Sequence, residues 1–222
     1  MNGQTLATAE NQSSRRIPFP NRRPQGEAGP VNPGPFAAHR VLVAPGLRGS
    51  GPDHWQSAWQ RQFPQFTRVN QDDWETPDLD QWARRIVEAA LRAAEPVTVV
   101  AHSFGCLATL RASAFQSGLI EGALLVAPAD PVRFGLEGKL TTSVLDFPTT
   151  LVASDNDPWM PLDAATWWAE RWGSTFVRLN DAGHVNVQAG FTEWPEGLRL
   201  LERLCRSVAV VRSRGRVVSL AI

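Results

Sequence analysis

The sequence predicts an α/β domain, a mostly parallel twisted sheet with helices on both faces. Two observations carry that expectation. Short apolar runs at Arg40–Ala44, Val97–Ala101, Gly122–Ala127 and Thr149–Ala153 read as strands buried on both sides. Segments with the apolar period of amphipathic helices lie between them. Continuous apolar strands that alternate with helices are the signature of a parallel sheet covered on both faces.

The elements follow in order. Val41, Leu42 and Val43 make a strand that ends at Pro45-Gly46, a turn signal. Asp53 to Phe63 reads as a helix with Trp55, Ala58, Trp59 and Phe63 toward one face and Asp53 as its cap. Phe66–Val69 is a short strand. Asp78–Ala94 is a strong helix, with Leu79, Trp82, Ile86, Val87 and Ala90 on its apolar stripe. Val97–Ala101 is a β-branched strand. Phe104–Gln116, Leu162–Trp172 and Glu196–Cys205 read as helices, and Gly122–Ala127, Thr149–Ala153 and Thr175–Leu179 as strands. There are no internal repeats.

The two ends differ from this body. Residues 1–38 hold six Pro and four Gly with no apolar period, which predicts a disordered tail because so little surface can be buried. The domain proper is expected over residues 39–206. Residues 207–222 form a C-terminal extension, apolar at Val208–Val211 and Val217–Ala221, with Arg206, Arg212, Arg214 and Arg216 beside it. A hairpin around Gly215 and an irregular terminus are both open for it.

Composition excludes several function classes. The chain has 222 residues, 43% of them hydrophobic, and 22 basic residues balance 22 acidic ones. Zero net charge leaves no electrostatic footprint for nucleic acid or an anionic membrane, so neither partner is expected. No stretch approaches the ~18 consecutive apolar residues of a membrane helix. The N-terminus lacks an apolar segment after a basic start, so no secretory signal is expected. Two cysteines, Cys106 and Cys205, make neither a disulfide framework nor a metal cluster. A cytoplasmic protein with reduced thiols, no metal and no cofactor is the expectation. Nine Trp and no Tyr stand out.

The sharpest local signal is Ala101-His102-Ser103-Phe104-Gly105, where a buried strand runs directly into a helix. That is the context of a nucleophile elbow, a strained turn that lifts a serine hydroxyl above the end of a sheet. Small residues are needed two before and two after the serine, and Ala101 and Gly105 supply them. An ordinary helix cap is the plainer role for a serine here, but the strand before it and the helix after it favour the elbow.

A serine nucleophile needs a base and an orienting acid. Of four histidines, His39 lies at the domain edge, His54 is most simply a surface or packing residue, and His102 should point away from the adjacent hydroxyl. His184 remains, on the loop after the last strand of the body, where this fold places its base. Three aspartates compete for the acid: Asp130, Asp155 and Asp157. Asp157 is favoured because Asp157-Pro158-Trp159-Met160-Pro161 makes a rigid turn into the next helix, while Asp155 suits a turn cap. Asp146 and Asp163 fit less well. Backbone N–H groups of Phe104 and Leu47 are the expected oxyanion donors, the latter from the glycine-rich loop Pro45–Pro52. That loop has no phosphate-binding pattern.

With these pieces in order, residues 40–206 resemble the small serine hydrolases of the retinoblastoma-binding protein 9 / YdeN group, within the α/β-hydrolase superfamily. The matching segments are Ala44-Pro45-Gly46-Leu47, Asp53-His54-Trp55, Ala101–Gly105, Ser154–Pro158, Ala182-Gly183-His184 with Asn186, and Trp194-Pro195-Glu196-Gly197. The resemblance implies an α/β-hydrolase fold and a triad of Ser103, Asp157 and His184.

The connection 131–148 leaves room for one helix and no large lid domain. An open site and a small ester, thioester or amide substrate follow, for a carboxylesterase-like activity. Trp55 and Trp159 neighbour the oxyanion loop and the acid loop and are candidate pocket walls. The other tryptophans are expected to pack. A non-catalytic binding protein on the same fold is the alternative.

Overall fold

Alternation along the strands decides which helix lies on which face. A computed structural model describes residues 34–219. It has six strands: β1 (Arg40–Ala44), β2 (Thr67–Arg68), β3 (Val97–His102), β4 (Ile120–Val126), β5 (Thr149–Ser154) and β6 (Thr175–Leu179). Five helices accompany them: α1 (Trp55–Gln62), α2 (Leu79–Ala93), α3 (Phe104–Phe115), α4 (Leu162–Trp172) and α5 (Pro195–Ser219). The strands form one sheet in the order β2-β1-β3-β4-β5-β6, and every neighbouring pair is parallel.

Side chains on a strand point alternately to the two faces. Val97, Val99 and Ala101 of β3 therefore join the core built with α2, α3 and α4. Val100, with Val41, Val43 and Leu124, joins the opposite core, built with Trp55 and Trp59 of α1 and Leu201 and Leu204 of α5. α2 shows the local logic well. The Asp78 side chain accepts from the Gln81 N–H at 3.0 Å and starts the helix, and Ala94 ends it at φ 58°. α3 is buried nearly all round, from Phe104 to Leu110, because it lies between the sheet and its neighbour α2.

Several expectations change. α1 begins at Trp55, and its cap is His54, whose Nδ1 accepts from the Gln56 N–H, rather than Asp53. The connection 131–148 holds two short 3₁₀ turns, Pro131–Phe134 and Glu137–Lys139, and no large lid. The domain starts before His39: Phe36 is buried and packs edge-on against Phe63 and Phe66 at 5.0 and 5.3 Å. Residues 1–33 of the expected tail lie outside the described residues. Within the described residues the C-terminal extension is neither a hairpin nor irregular, since α5 runs on to Ser219; residues 220–222 lie outside them. Arg212 anchors it by pairing with Glu121 on β4 and donating to the Ala38 carbonyl. Among the described residues no helix is long and apolar enough to cross a membrane.

Candidate functional site

Ser103, Asp157 and His184 lie on the segments that follow β3, β5 and β6. Ser103 sits between β3 and α3 with φ 54° and ψ −124°, in the left-handed half of backbone space that a serine rarely adopts. Its side chain makes no cap hydrogen bond, so the cap role does not describe it. The turn is tight because the end of β1, parallel to β3, and the loop after it lie against it. A Cβ on Gly105 would collide with the Ala44 and Pro45 carbonyls, and one on Gly46 would lie 2.7 Å from the Ser103 Cβ.

Ser103 Oγ lies 2.9 Å from His184 Nε2. His184 Nδ1 lies 3.0 and 2.9 Å from the two carboxylate oxygens of Asp157. Asp157 also accepts the Trp159 N–H at 2.8 Å, and its side chain is almost fully buried. The structure thus brings Ser103, His184 and Asp157 into one hydrogen-bonded line. The other two aspartates are engaged elsewhere. Asp130 accepts from the Val132 N–H at 3.0 Å. Asp155 pairs with Arg178 at 2.9 Å and accepts the Asp181 N–H. The hydrogen bond from Arg178 leads the interactions that hold its carboxyl below the usual range.

Two residues that the sequence reading quoted within Ser154–Pro158 but gave no role complete the loop behind His184. The Ala182 N–H donates to Ser154 Oγ at 2.9 Å, and the Gly183 N–H donates to Asn156 Oδ1 at 2.7 Å. Ser154, Asp155 and Asn156 therefore take three successive amides of the His184 loop, and Asp157 takes the imidazole. The signal was present in Ser154-Asp155-Asn156-Asp157, four small polar residues after a strand, but nothing local shows which amides they meet.

A cavity of about 340 Å³ opens over Ser103, lined by Leu47, Ala129, Phe134 and Trp159 on its apolar side. His54, His102, His184, Asn186 and Gln188 line it as well. Trp159 is 52% exposed and stands 6.4 Å from the His184 ring, with the Arg133 guanidinium over it. Trp55 does not wall this cavity. It is fully buried, packs against Trp59 and Trp194 in the opposite core, and donates its indole N–H to the Val185 carbonyl at 2.9 Å. His54, as cap of α1, turns the chain so that the next side chain enters that core.

His54 and His102 are both buried, 4.8 Å apart between ring centres. Burial, with smaller repulsion from Arg68 and His184, pushes the His54 imidazole down to about 4. Because its Nδ1 accepts from Gln56, the neutral ring carries its proton on Nε2. Burial likewise drives His102 far below its ordinary value. Neither ring adds a positive charge beside His184 at neutral pH.

Of the two expected oxyanion donors, Leu47 lines the cavity, and Phe104 follows Ser103 in the chain. Phe104 opens α3, where the first N–H groups have no partner in the helix. The Leu47 loop is braced from behind by Gln56. Its amide donates to the Ala44 and Val100 carbonyls at 3.4 and 3.1 Å, while its oxygen accepts from Ser50 Oγ. Arg68 reaches the same loop through the Ser50 carbonyl at 3.1 Å.

Residues 41–203 match the serine hydrolase family. A protein described as a YdeN-like hydrolase from Pectobacterium atrosepticum is 39% identical over 76% of this chain and 91% of its own, with a TM-score of 0.73. The ydeN gene product of B. subtilis is 20% identical over 76% of this chain and 99% of its own, with a TM-score of 0.62. A thermophilic esterase from Thermogutta terrifontis shares the fold at 13% identity, 76% and 89% coverage and a TM-score of 0.57. No curated protein matches the sequence significantly. The chain belongs to the serine hydrolase family, on the α/β-hydrolase fold.

Proposed function

We propose that the protein hydrolyses a small, uncharged ester, thioester or amide through an acyl-enzyme on Ser103. The observation that carries this reading is the unbroken line from Ser103 Oγ through His184 to Asp157 at the floor of the cavity. His184 Nε2 takes the hydroxyl proton as Oγ attacks the substrate carbonyl. Asp157 accepts the Nδ1–H, fixes the tautomer and stabilises the imidazolium. The N–H groups of Phe104 and Leu47 meet the oxyanion, and the positive end of α3 adds to them. The imidazolium then protonates the leaving group. Water attacks the acyl-serine with His184 again taking the proton, and collapse returns it to Oγ.

The cavity supports the substrate class. Its apolar side suits a short acyl group. Arg48, the one formally charged side chain in its lining apart from the histidines, points to solvent and pairs with Glu75. With no large lid over the cavity, a small substrate enters directly. Two free, buried thiols, Cys106 and Cys205, suit a reducing cytoplasm. The test is labelling by a fluorophosphonate, which phosphonylates activated serines. Labelling of the wild type and none of Ser103→Ala is expected. Equal labelling of both, or none of the folded wild type, would overturn the proposal.

A further inference from the structure

The loop that carries His184 is strained. Asp181, Gly183 and Val185 all have positive φ, at 49°, 50° and 47°. For Val185 this is costly, because a β-branched side chain fits that region poorly. Such a conformation persists only where its surroundings over-determine it. The amides of 181–183 are held by Asp155, Ser154 and Asn156. The carbonyls that follow are held from the other side. His102 Nε2 lies 2.9 Å from the His184 carbonyl, and Trp55 Nε1 donates to the Val185 carbonyl at 2.9 Å.

A carbonyl only accepts, so His102 carries its proton on Nε2 and donates. The pleat of β3 makes this contact available. His102 shares a strand face with Val100, toward the core where Trp55, Ala182 and Val185 pack. It is also the residue before Ser103. One stretch of backbone therefore carries both the nucleophile and the donor that grips the backbone of the base.

We propose that His102 and Trp55 are positioning residues that clamp the His184 and Val185 carbonyls and so hold the His184 imidazole in line with Ser103. The proposal rests on the reading of Ser103 and His184 as nucleophile and base. Neither residue touches the substrate in this scheme. The clamp sets where the base stands, and a displacement of about 1 Å at a reacting group can cost on the order of a hundredfold in rate.

Three variants test it. His102→Phe keeps a ring without the donor. His102→Gln returns an N–H close to the Nε2 position. Trp55→Phe removes the indole N–H. Fluorophosphonate labelling rate, kcat/KM on p-nitrophenyl acetate and thermal unfolding are measured on each. His102→Phe is expected to lower the labelling rate and kcat/KM in parallel, by roughly tenfold to a hundredfold. His102→Gln should recover most of that loss although its packing is poorer, and Trp55→Phe should lose activity while staying folded. A purely structural role would instead make activity follow the unfolding temperature and leave Gln no better than Phe. That result, or unchanged labelling in both donor-less variants, overturns the clamp. Should His102→Phe fail to fold, an unchanged labelling rate in Trp55→Phe overturns it alone. Wild-type protein without Ser103-dependent labelling would instead defeat the underlying assignment of nucleophile and base.

Discussion

Asp155 and Asp157 leave one turn two residues apart and serve different partners: Asp157 meets the imidazole of His184, and Asp155 meets the guanidinium of Arg178. The two should separate cleanly by mutation. Asp157→Asn is expected to lower kcat by about 10⁴-fold, the loss seen when a triad acid can no longer fix the tautomer of its histidine. Asp155→Asn removes a charge from an exposed pair and should leave kcat within a few-fold of wild type. Steady-state kinetics on one p-nitrophenyl ester decides this, and similar losses in both variants would put the acid assignment in error.

Gly46 tests the contact between the loop after β1 and the Ser103 turn. A methyl group there would press on the Ser103 side chain, 2.7 Å from Cβ and 3.2 Å from Oγ. Gly46→Ala should therefore lower the rate of acylation by roughly a hundredfold through displaced reacting atoms. Burst kinetics reads this step directly. An unchanged burst rate would mean that the loop moves aside at no cost.

The two tryptophans singled out by the sequence should behave differently. Trp159 is half exposed at the cavity, so Trp159→Ala should raise KM for aryl esters several-fold and leave the unfolding temperature nearly unchanged. Trp55 is fully buried, and Trp55→Ala should cost about 3–5 kcal/mol of stability. Thermal unfolding and KM, measured together, distinguish them.

Acid should weaken the fold through His54. Its imidazole is pushed from 6.5 to about 4, chiefly by burial. Between those values the unfolded chain binds a proton that the folded chain refuses. Stability is therefore full above about 6.5 and is lost as the pH falls toward 4, because protons favour the unfolded state. His39 and His102 shift in the same direction. The unfolding temperature should drop on acidification from neutral pH, and drop less in His54→Asn, whose oxygen can still accept from the Gln56 N–H. Equal drops would remove His54 from the explanation.

The fold was legible because its signals are local. Apolar runs, Asp78 before a helix, and a serine between a strand and a helix can each be read within a dozen residues. Ser103, His184 and the turn holding Asp157 were legible for the same reason, since each follows a strand end. What stayed hidden depends on partners far along the chain. Trp55 reads as a neighbour of the oxyanion loop, but its indole finds Val185 130 residues later. Arg212 shows no acid nearby in sequence, yet Glu121 waits on β4. Phe36 sits in a Pro- and Gly-rich stretch and is buried only because Phe63 and Phe66 leave a place for it. The roles of His102 and Gln56 depend on which strand ends lie side by side, which spacing alone does not show.

The central claim is that Ser103 becomes acylated with His184 as its base. Rapid-quench mass spectrometry of protein mixed with p-nitrophenyl acetate tests it most directly. The expected result is one acetyl group on the peptide that contains Ser103, formed in step with a burst of p-nitrophenolate and absent from Ser103→Ala and His184→Ala. Hydrolysis with no acetyl group on that peptide, or a burst that survives in Ser103→Ala, would contradict it.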